Sequence, residues 1–272
     1  MTLINNSSAL LREYQHEREI LLDKITALLQ HDQRIAASWL EGSLGRREED
    51  ELSDLDLWVV VKNEFISQLV NERRNYAAQI GDPILFVEAP QNAPLGGGYL
   101  AAGYAAPAGP HLVDWNWQPE SLAFLPGQIS LLFDRAGLPR HDRPGHIINQ
   151  VVTEELLNKP DHFISFFWMM LLITAKHIAR QSPRAEELLN ITRAPFLQAI
   201  DFINAKSHSG DFSMPNFAGS GRAAEQLLFL RHLAEMMQKM MDKVSKLGYS
   251  LPNKVVPGAF RYLDMIDNLI QG

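Results

Sequence analysis

The N-terminal part of the chain begins with apolar residues at helical spacing and continues with two short, strongly apolar runs. Over residues 8–29, apolar side chains recur every three or four positions among charged ones, which predicts an amphipathic helix. Residues 34–40 and 55–61 are apolar runs between polar segments, and the second is too apolar for either face to contact water. The pattern therefore predicts a helix followed by two central strands of a sheet.

The pattern changes from mixed to helical near residue 140. Helical spacing over 64–80 is followed by strand-like runs at 84–87, 99–105, 111–117 and 128–133. Residues 136–145 have the composition of a linker, and helical patterns follow at 146–158, 161–181, 184–207, 220–247 and 257–271. We therefore expect an α+β fold, with a mixed sheet and flanking helices over residues 1–140 and a helical bundle over residues 141–272.

Composition narrows the classes of partner. The 272 residues include no Cys, which excludes disulfides and thiolate metal sites. The balance of 25 Lys and Arg against 32 Asp and Glu gives a formal charge of −7, which disfavours nucleic acid as a partner and is compatible with a cationic one. The N-terminus lacks the pattern of an export signal, and the longest apolar stretch, 163–173, is shorter than the roughly 20 residues of a membrane span. We expect a cytoplasmic protein without a membrane partner.

The candidate chemistry lies at the ends of the predicted strands. Gly42 and Ser43 follow the first strand, where a turn into a helix would offer backbone N–H groups to phosphates. Asp54 and Asp56, two residues apart on a strand, would point to one face about 7 Å apart and repel each other unless a cation lies between them. Asp114 adds a third carboxylate between apolar neighbours on a later strand. This spacing predicts a metal site.

These elements, in this order, resemble the signature of the nucleotidyltransferase superfamily, which is built on the catalytic fold of DNA polymerase beta. The chain is most similar to the adenylyltransferases that modify streptomycin-type aminoglycosides and lincosamides. The similarity covers most of the chain, although only the first motif is specific. The segments that carry it are Gly-Ser-Leu-Gly-Arg at 42–46 with Ser-Asp-Leu-Asp-Leu at 53–57, Leu-Leu-Phe-Asp-Arg-Ala-Gly at 131–137, and the aromatic helix from Phe163 to Arg180. The resemblance implies a nucleotidyltransferase domain followed by an acceptor-binding helical domain, with ATP as co-substrate and two Mg²⁺ ions.

Nucleotidyl transfer needs a divalent cation and a group that accepts the proton of the attacking hydroxyl. Mg²⁺ is typically held by one or two carboxylates together with substrate phosphates, so Asp54 and Asp56 are the predicted ligands. Asp114 is the predicted general base or a further metal ligand. Glu88 is the alternative base, because members of the superfamily differ in the strand that supplies it. Against this, Glu88 lies shortly before Pro90, where its strand is expected to end.

The predicted nucleotide-binding residues are Gly42, Ser43, Arg46, Arg47 and Lys176. Arg46 and Arg47 belong to a charged spacer, so they either contact phosphates or form part of a solvated loop. Lys176 either contacts phosphates, as the resemblance suggests, or stabilises the end of its helix.

Three functions are compatible with these residues. The first is an enzyme that transfers AMP from ATP to a hydroxyl of a small, cationic molecule, such as an aminoglycoside antibiotic, with release of pyrophosphate and a role in antibiotic resistance. The second is an enzyme that modifies a protein side chain in the same way. The third is a nucleotide-binding protein without turnover, which would have no need of a base.

Overall fold

The computed structural model describes residues 3–142, 153–207, 212–215 and 221–271. Helices account for 54% and strands for 18% of the structure described, so the predicted α+β class is confirmed. The chain divides into two compact units. The sheet unit comprises Arg12–Tyr104 and His111–Val152, and the helical unit comprises Met1–Leu11, Ala105–Pro110 and Thr153–Gly272.

The sheet unit is built on a mixed six-stranded sheet. The described strands of the whole unit are β1 (Ile35–Leu40), β2 (Leu55–Val61), β3 (Pro83–Val87), β4 (Gly98–Tyr104), β5 (His111–Pro119), β6 (Leu125–Pro126), β7 (Ser130–Asp134) and β8 (Arg140–His141). The sheet order is β3-β4-β5-β2-β1-β7, in which β2 and β5 are parallel and all other neighbours are antiparallel. The short strands β6 and β8 pair in parallel with each other, so part of the predicted linker at 136–145 is in fact a strand.

The described helices are α1 (Leu3–His31), α2 (Gly42–Arg46), α3 (Ile66–Asn71), α4 (Arg73–Ala77), α5 (Glu154–Leu157), α6 (Pro160–Ala179), α7 (Ala185–Ser207), α8 (Ala223–Lys246) and α9 (Val255–Gln271). The single helix predicted over 64–80 is wrong. The backbone leaves the α-helical region at Glu72, and the two arginines that follow then both reach Glu88. Of the helix predicted over 146–158, the part over 146–152 lies outside the described residues, and α5 occupies the rest.

The two faces of the sheet differ in character. One face packs against α1, α3 and α4 and forms the core of the sheet unit. Trp115 and Trp117 of β5 lie in this core with their rings stacked 5.4 Å apart, as their alternation with polar residues predicts. The opposite face therefore carries Asp56 and Asp114.

In the helical unit, α6 is surrounded by other helices. Among the described helices it is the one that is long and apolar enough to cross a membrane by length and composition. However, 72% of its most apolar window is buried inside the protein, as in the core helix of a globular domain. Trp168 on this helix is fully buried and donates a hydrogen bond to the sulfur of Met241 at 3.1 Å.

Strand β4 approaches β5 closely because Gly97 has no side chain. A Cβ atom at this position would lie 1.8 Å from the carbonyl oxygen of Trp117. Backbone atoms cannot rotate away as a flexible side chain can, so the close approach of these strands requires glycine.

We expect Gly97→Ala to lower the free energy of unfolding by about 3 kcal/mol, since the methyl group must push the two strands apart. Gly81→Ala is the matched control, because a Cβ atom there would have no other atom within 4 Å and the backbone is not left-handed. That variant should be neutral or more stable by about 0.4–1 kcal/mol. Urea unfolding of both variants checks this, and wild-type stability of Gly97→Ala would contradict the packing argument.

Candidate active site

Asp56 and Asp114 are neighbours on the two parallel strands at the centre of the sheet. The register of β2 against β5 pairs Asp56 directly with Asp114, which places both side chains on the same face. Adjacent strands lie about 4.8 Å apart, and both carboxyl groups are half-buried. Asp54, also half-buried, precedes the first residue of β2. The fold therefore brings together two acids that are 58 positions apart in sequence.

Gly42 packs directly against Asp56. Its φ angle of +62° is left-handed, and a Cβ atom there would lie 1.8 Å from Oδ2 of Asp56. The backbone N–H of Glu41 also donates to the carbonyl oxygen of Asp56 at 2.9 Å. Ser43, half-buried, follows in the short helix α2. The Gly-Ser turn and the Asp-Leu-Asp triplet thus form a single site.

Tyr99 is a site residue that the sequence did not reveal. Its hydroxyl donates a hydrogen bond to Oδ1 of Asp114 at 2.8 Å, and the residue is buried. Burial, followed by the charge of Asp114, raises the pKa of Tyr99 well above its ordinary value, and the charge of Asp56 acts in the same direction. The hydroxyl therefore keeps its proton and remains a donor to the carboxylate.

Glu41 is the second residue that was missed. Its half-buried carboxylate accepts a hydrogen bond from Nε1 of Trp39 at 3.2 Å. Burial raises the pKa of Glu41, and the charge of Asp56 raises it further, whereas the hydrogen bond from Trp39 lowers it. The acidic character of Glu41 was visible in the sequence, but its burial beside Asp56 was not.

The spacer before Asp54 is an ordered turn. Arg18 of α1 is 4% exposed and donates hydrogen bonds to the carbonyl oxygens of Asp50 at 2.7 Å and Ser53 at 3.0 Å. The side chain of Asp50 in turn accepts from the backbone N–H of Leu52 and the hydroxyl of Ser53. These contacts fix the segment that leads into Asp54 and β2.

The two arginines of the spacer are exposed to solvent. Arg46 is exposed and donates from Nε to Glu48 at 2.8 Å, while Arg47 is exposed and left-handed, with φ of 58°. Arg46 lines a cavity of about 350 Å³ beside Gly42, together with Glu41, Pro126, Gly127, Gln128 and Asp142. Phosphate contact by either arginine stays a prediction.

Glu88 and Lys176 have surroundings unlike those of the paired aspartates. Oε2 of Glu88 accepts from Nη2 of Arg73 at 2.6 Å, and Oε1 accepts from Nε of Arg74 at 2.7 Å. Both oxygens of the alternative base are therefore held in ion pairs at the end of β3. Lys176 is buried in α6 of the helical unit, and its predicted contact with phosphate stays a prediction.

The described residues contain no group of three or more His, Cys, Asp or Glu side chains placed to hold a metal ion. A preformed cage made by Asp54, Asp56 and Asp114 alone is therefore not present in this part of the chain. Mg²⁺ needs only one or two carboxylates when substrate phosphates complete its coordination. Asp56 and Asp114 fit a cation that is bound together with a nucleotide.

Comparison with known proteins does not assign a function to this site. No protein-family model matches the chain, and no curated protein sequence matches it significantly. The function must therefore be argued from the site.

The raised pKa of Glu41 predicts a pH-dependent stability. The native state binds this proton more tightly than the unfolded chain, whose ordinary value is 4.5. The contribution of Glu41 is therefore fully present below about pH 4.5 and is lost as the pH rises through the folded-state value.

We expect Glu41→Gln to be more stable than wild type at pH 7, with the difference vanishing near pH 4. Urea unfolding at both pH values tests this, with exposed Glu49→Gln as the control. A loss of stability of Glu41→Gln at pH 7 would show that the charge of Glu41 does not destabilise the folded protein.

Proposed function

We propose that the protein is a Mg²⁺-dependent nucleotidyltransferase that moves AMP from ATP to a hydroxyl group of a small, cationic molecule, with release of pyrophosphate. The observation that carries the proposal is the pairing of Asp56 with Asp114 on neighbouring parallel strands, with Gly42 packed against Asp56. The resemblance to streptomycin-type and lincosamide adenylyltransferases supports the same chemistry.

The acidic face is suited to a cation. Asp56, Asp114 and Glu41 place negative charge in a half-buried region, where water screens repulsion less than on the surface. Mg²⁺ held by Asp56 and Asp54 would neutralise this charge and that of the triphosphate and polarise the reacting phosphorus, which leaves Asp114 available as the base. The face thus favours a nucleotide that brings its Mg²⁺ with it.

The turn beside Asp56 is suited to phosphate oxygens. Gly42 has no side chain, and Ser43 supplies a hydroxyl one residue later. Arg46 and Arg47 are exposed on the same turn, and Arg46 could exchange its ion pair with Glu48 for a phosphate. We assign these four residues to the nucleotide and keep Lys176 as a further candidate.

Asp114 is better placed than Glu88 to act as the base. It lies beside Asp56, whereas both oxygens of Glu88 are engaged by arginines. In the proposed step, Asp114 takes the proton of the acceptor hydroxyl while the hydroxyl oxygen forms a bond to the α-phosphorus of ATP. The bond from that phosphorus to pyrophosphate breaks at the same time.

The charge of the protein favours a polycationic acceptor. A formal charge of −7 and a local group of acids attract ammonium groups and repel anions. An aminoglycoside carries both ammonium groups and hydroxyls, and we propose that the helical part over residues 141–272 contributes to its binding. A cytoplasmic location follows from this proposal, because ATP is the nucleotide donor.

Incubation with ATP, Mg²⁺ and a panel of aminoglycosides, lincosamides and unrelated proteins tests the proposal through pyrophosphate release and product mass. We expect AMP to be attached to a cationic small molecule, and Asp56→Asn to abolish this transfer. The unfolding midpoint of that variant should be equal or higher, because removing one of two adjacent charges relieves repulsion. Asp23→Asn on the exposed side of α1 is the matched control. AMP on a protein would favour the second candidate, and nucleotide binding without transfer would favour the third.

A second pair of variants identifies the base. Asp114→Asn should lower kcat by about 10²- to 10⁴-fold, because a general base acts in the transition state. Glu88→Gln should retain kcat but lose stability, since it weakens the ion pairs with Arg73 and Arg74. Steady-state kinetics and thermal unfolding separate the two effects. A larger kcat loss in Glu88→Gln would transfer the role of base to Glu88.

A further inference from the structure

The hydrogen bond from Tyr99 to Asp114 joins two strands across the acidic face. Tyr99 lies opposite Asn116 in the register of β4 against β5, and Asp114 lies opposite Ala101. The two side chains are therefore diagonal neighbours, a separation that a tyrosine can span. The hydroxyl reaches Oδ1 of Asp114 at 2.8 Å.

The position of Tyr99 depends on the glycines that precede it. Gly97 lies so close to the backbone of Trp117 that no side chain fits between the strands. This close approach sets the distance between the two backbones two residues before Tyr99. The Gly-Gly-Gly-Tyr sequence at 96–99 thus brings the hydroxyl within reach of the carboxylate.

A tyrosine with a purely structural role is present on the same strand. Tyr104 is 4% exposed and donates its hydroxyl to the carbonyl oxygen of Ala77 at 2.9 Å, on the core side of the sheet. Tyr99, at 7% exposed, is equally buried but donates to a carboxylate beside Asp56. Burial of a carboxylate is costly unless donors compensate it, and Tyr99 supplies one.

We propose that Tyr99 is a positioning residue that holds the carboxylate of Asp114 in the orientation required for proton removal from the acceptor hydroxyl. This inference rests on the nucleotidyl transfer proposed above. It extends that proposal by making proton removal depend on a hydrogen bond from β4.

Tyr99→Phe tests the inference, because it removes the hydroxyl and retains the ring. We expect kcat to fall by about 10- to 100-fold, the usual effect of removing a group that orients a catalytic side chain. The KM for ATP should change by less than about threefold, since Tyr99 acts on the proton-accepting group. Crystal structures of wild type and the variant without metal supply a second measurement, in which the carboxylate of Asp114 should change orientation or occupy several.

Tyr104→Phe is the matched control, with the same substitution on the same strand at similar burial. We expect it to lose stability while its kcat stays within about twofold of wild type. Equal kcat values for Tyr99→Phe and Tyr104→Phe, or an unchanged Asp114 orientation, would overturn the inference and leave the proposed function standing. If wild type transfers no nucleotide to any acceptor tested, the proposed function fails, and the positioning role of Tyr99 fails with it.

Discussion

The parallel pairing of β2 with β5 is the contact on which the candidate site depends. These strands are the parallel neighbours within an otherwise antiparallel sheet, and their register places Asp56 beside Asp114. A shift of one residue would turn Asp114 into the core and would bring Trp115 out of it. The apolar packing of Trp115 and Trp117 therefore also fixes the position of the carboxylate. Core packing and site geometry are in this respect a single constraint.

The pairing creates an electrostatic problem that the surrounding residues only partly solve. Tyr99 and Trp39 donate hydrogen bonds to Asp114 and Glu41, respectively, and so compensate some of the lost hydration. Burial raises the pKa of Glu41, and the charge of Asp56 raises it further. A protein without a cationic ligand would gain stability by replacing one of these acids with a neutral residue. The Mg²⁺ ion proposed above would offset the repulsion between these acids.

Sequence patterns predicted the features that depend on local composition. The bounds of β1, β2 and β5 are close to those expected, because buried strands are short apolar runs. Gly42, Asp56 and Asp114, which the sequence singled out by type and spacing, lie side by side. The features that were missed depend on register and on contacts between distant segments. Tyr99 could be placed on a strand, but its face toward Asp114 depends on the register of β4 against β5. The arginine partners of Glu88, and the helix break that brings them together, depend on contacts about 15 residues apart.

The contact of Gly42 with Asp56 distinguishes this turn from one that only redirects the chain. A glycine with φ of +62° is explained by the turn alone, since most other residues avoid this conformation. The turn does not explain why a Cβ atom would lie 1.8 Å from Oδ2 of Asp56. The missing side chain instead keeps backbone atoms next to a carboxylate that already has another acid beside it. Such an arrangement brings the turn and the paired carboxylates to one place, which suits the metal-bound triphosphate proposed above. The Gly-Ser turn therefore belongs with the acids by contact as well as by spacing.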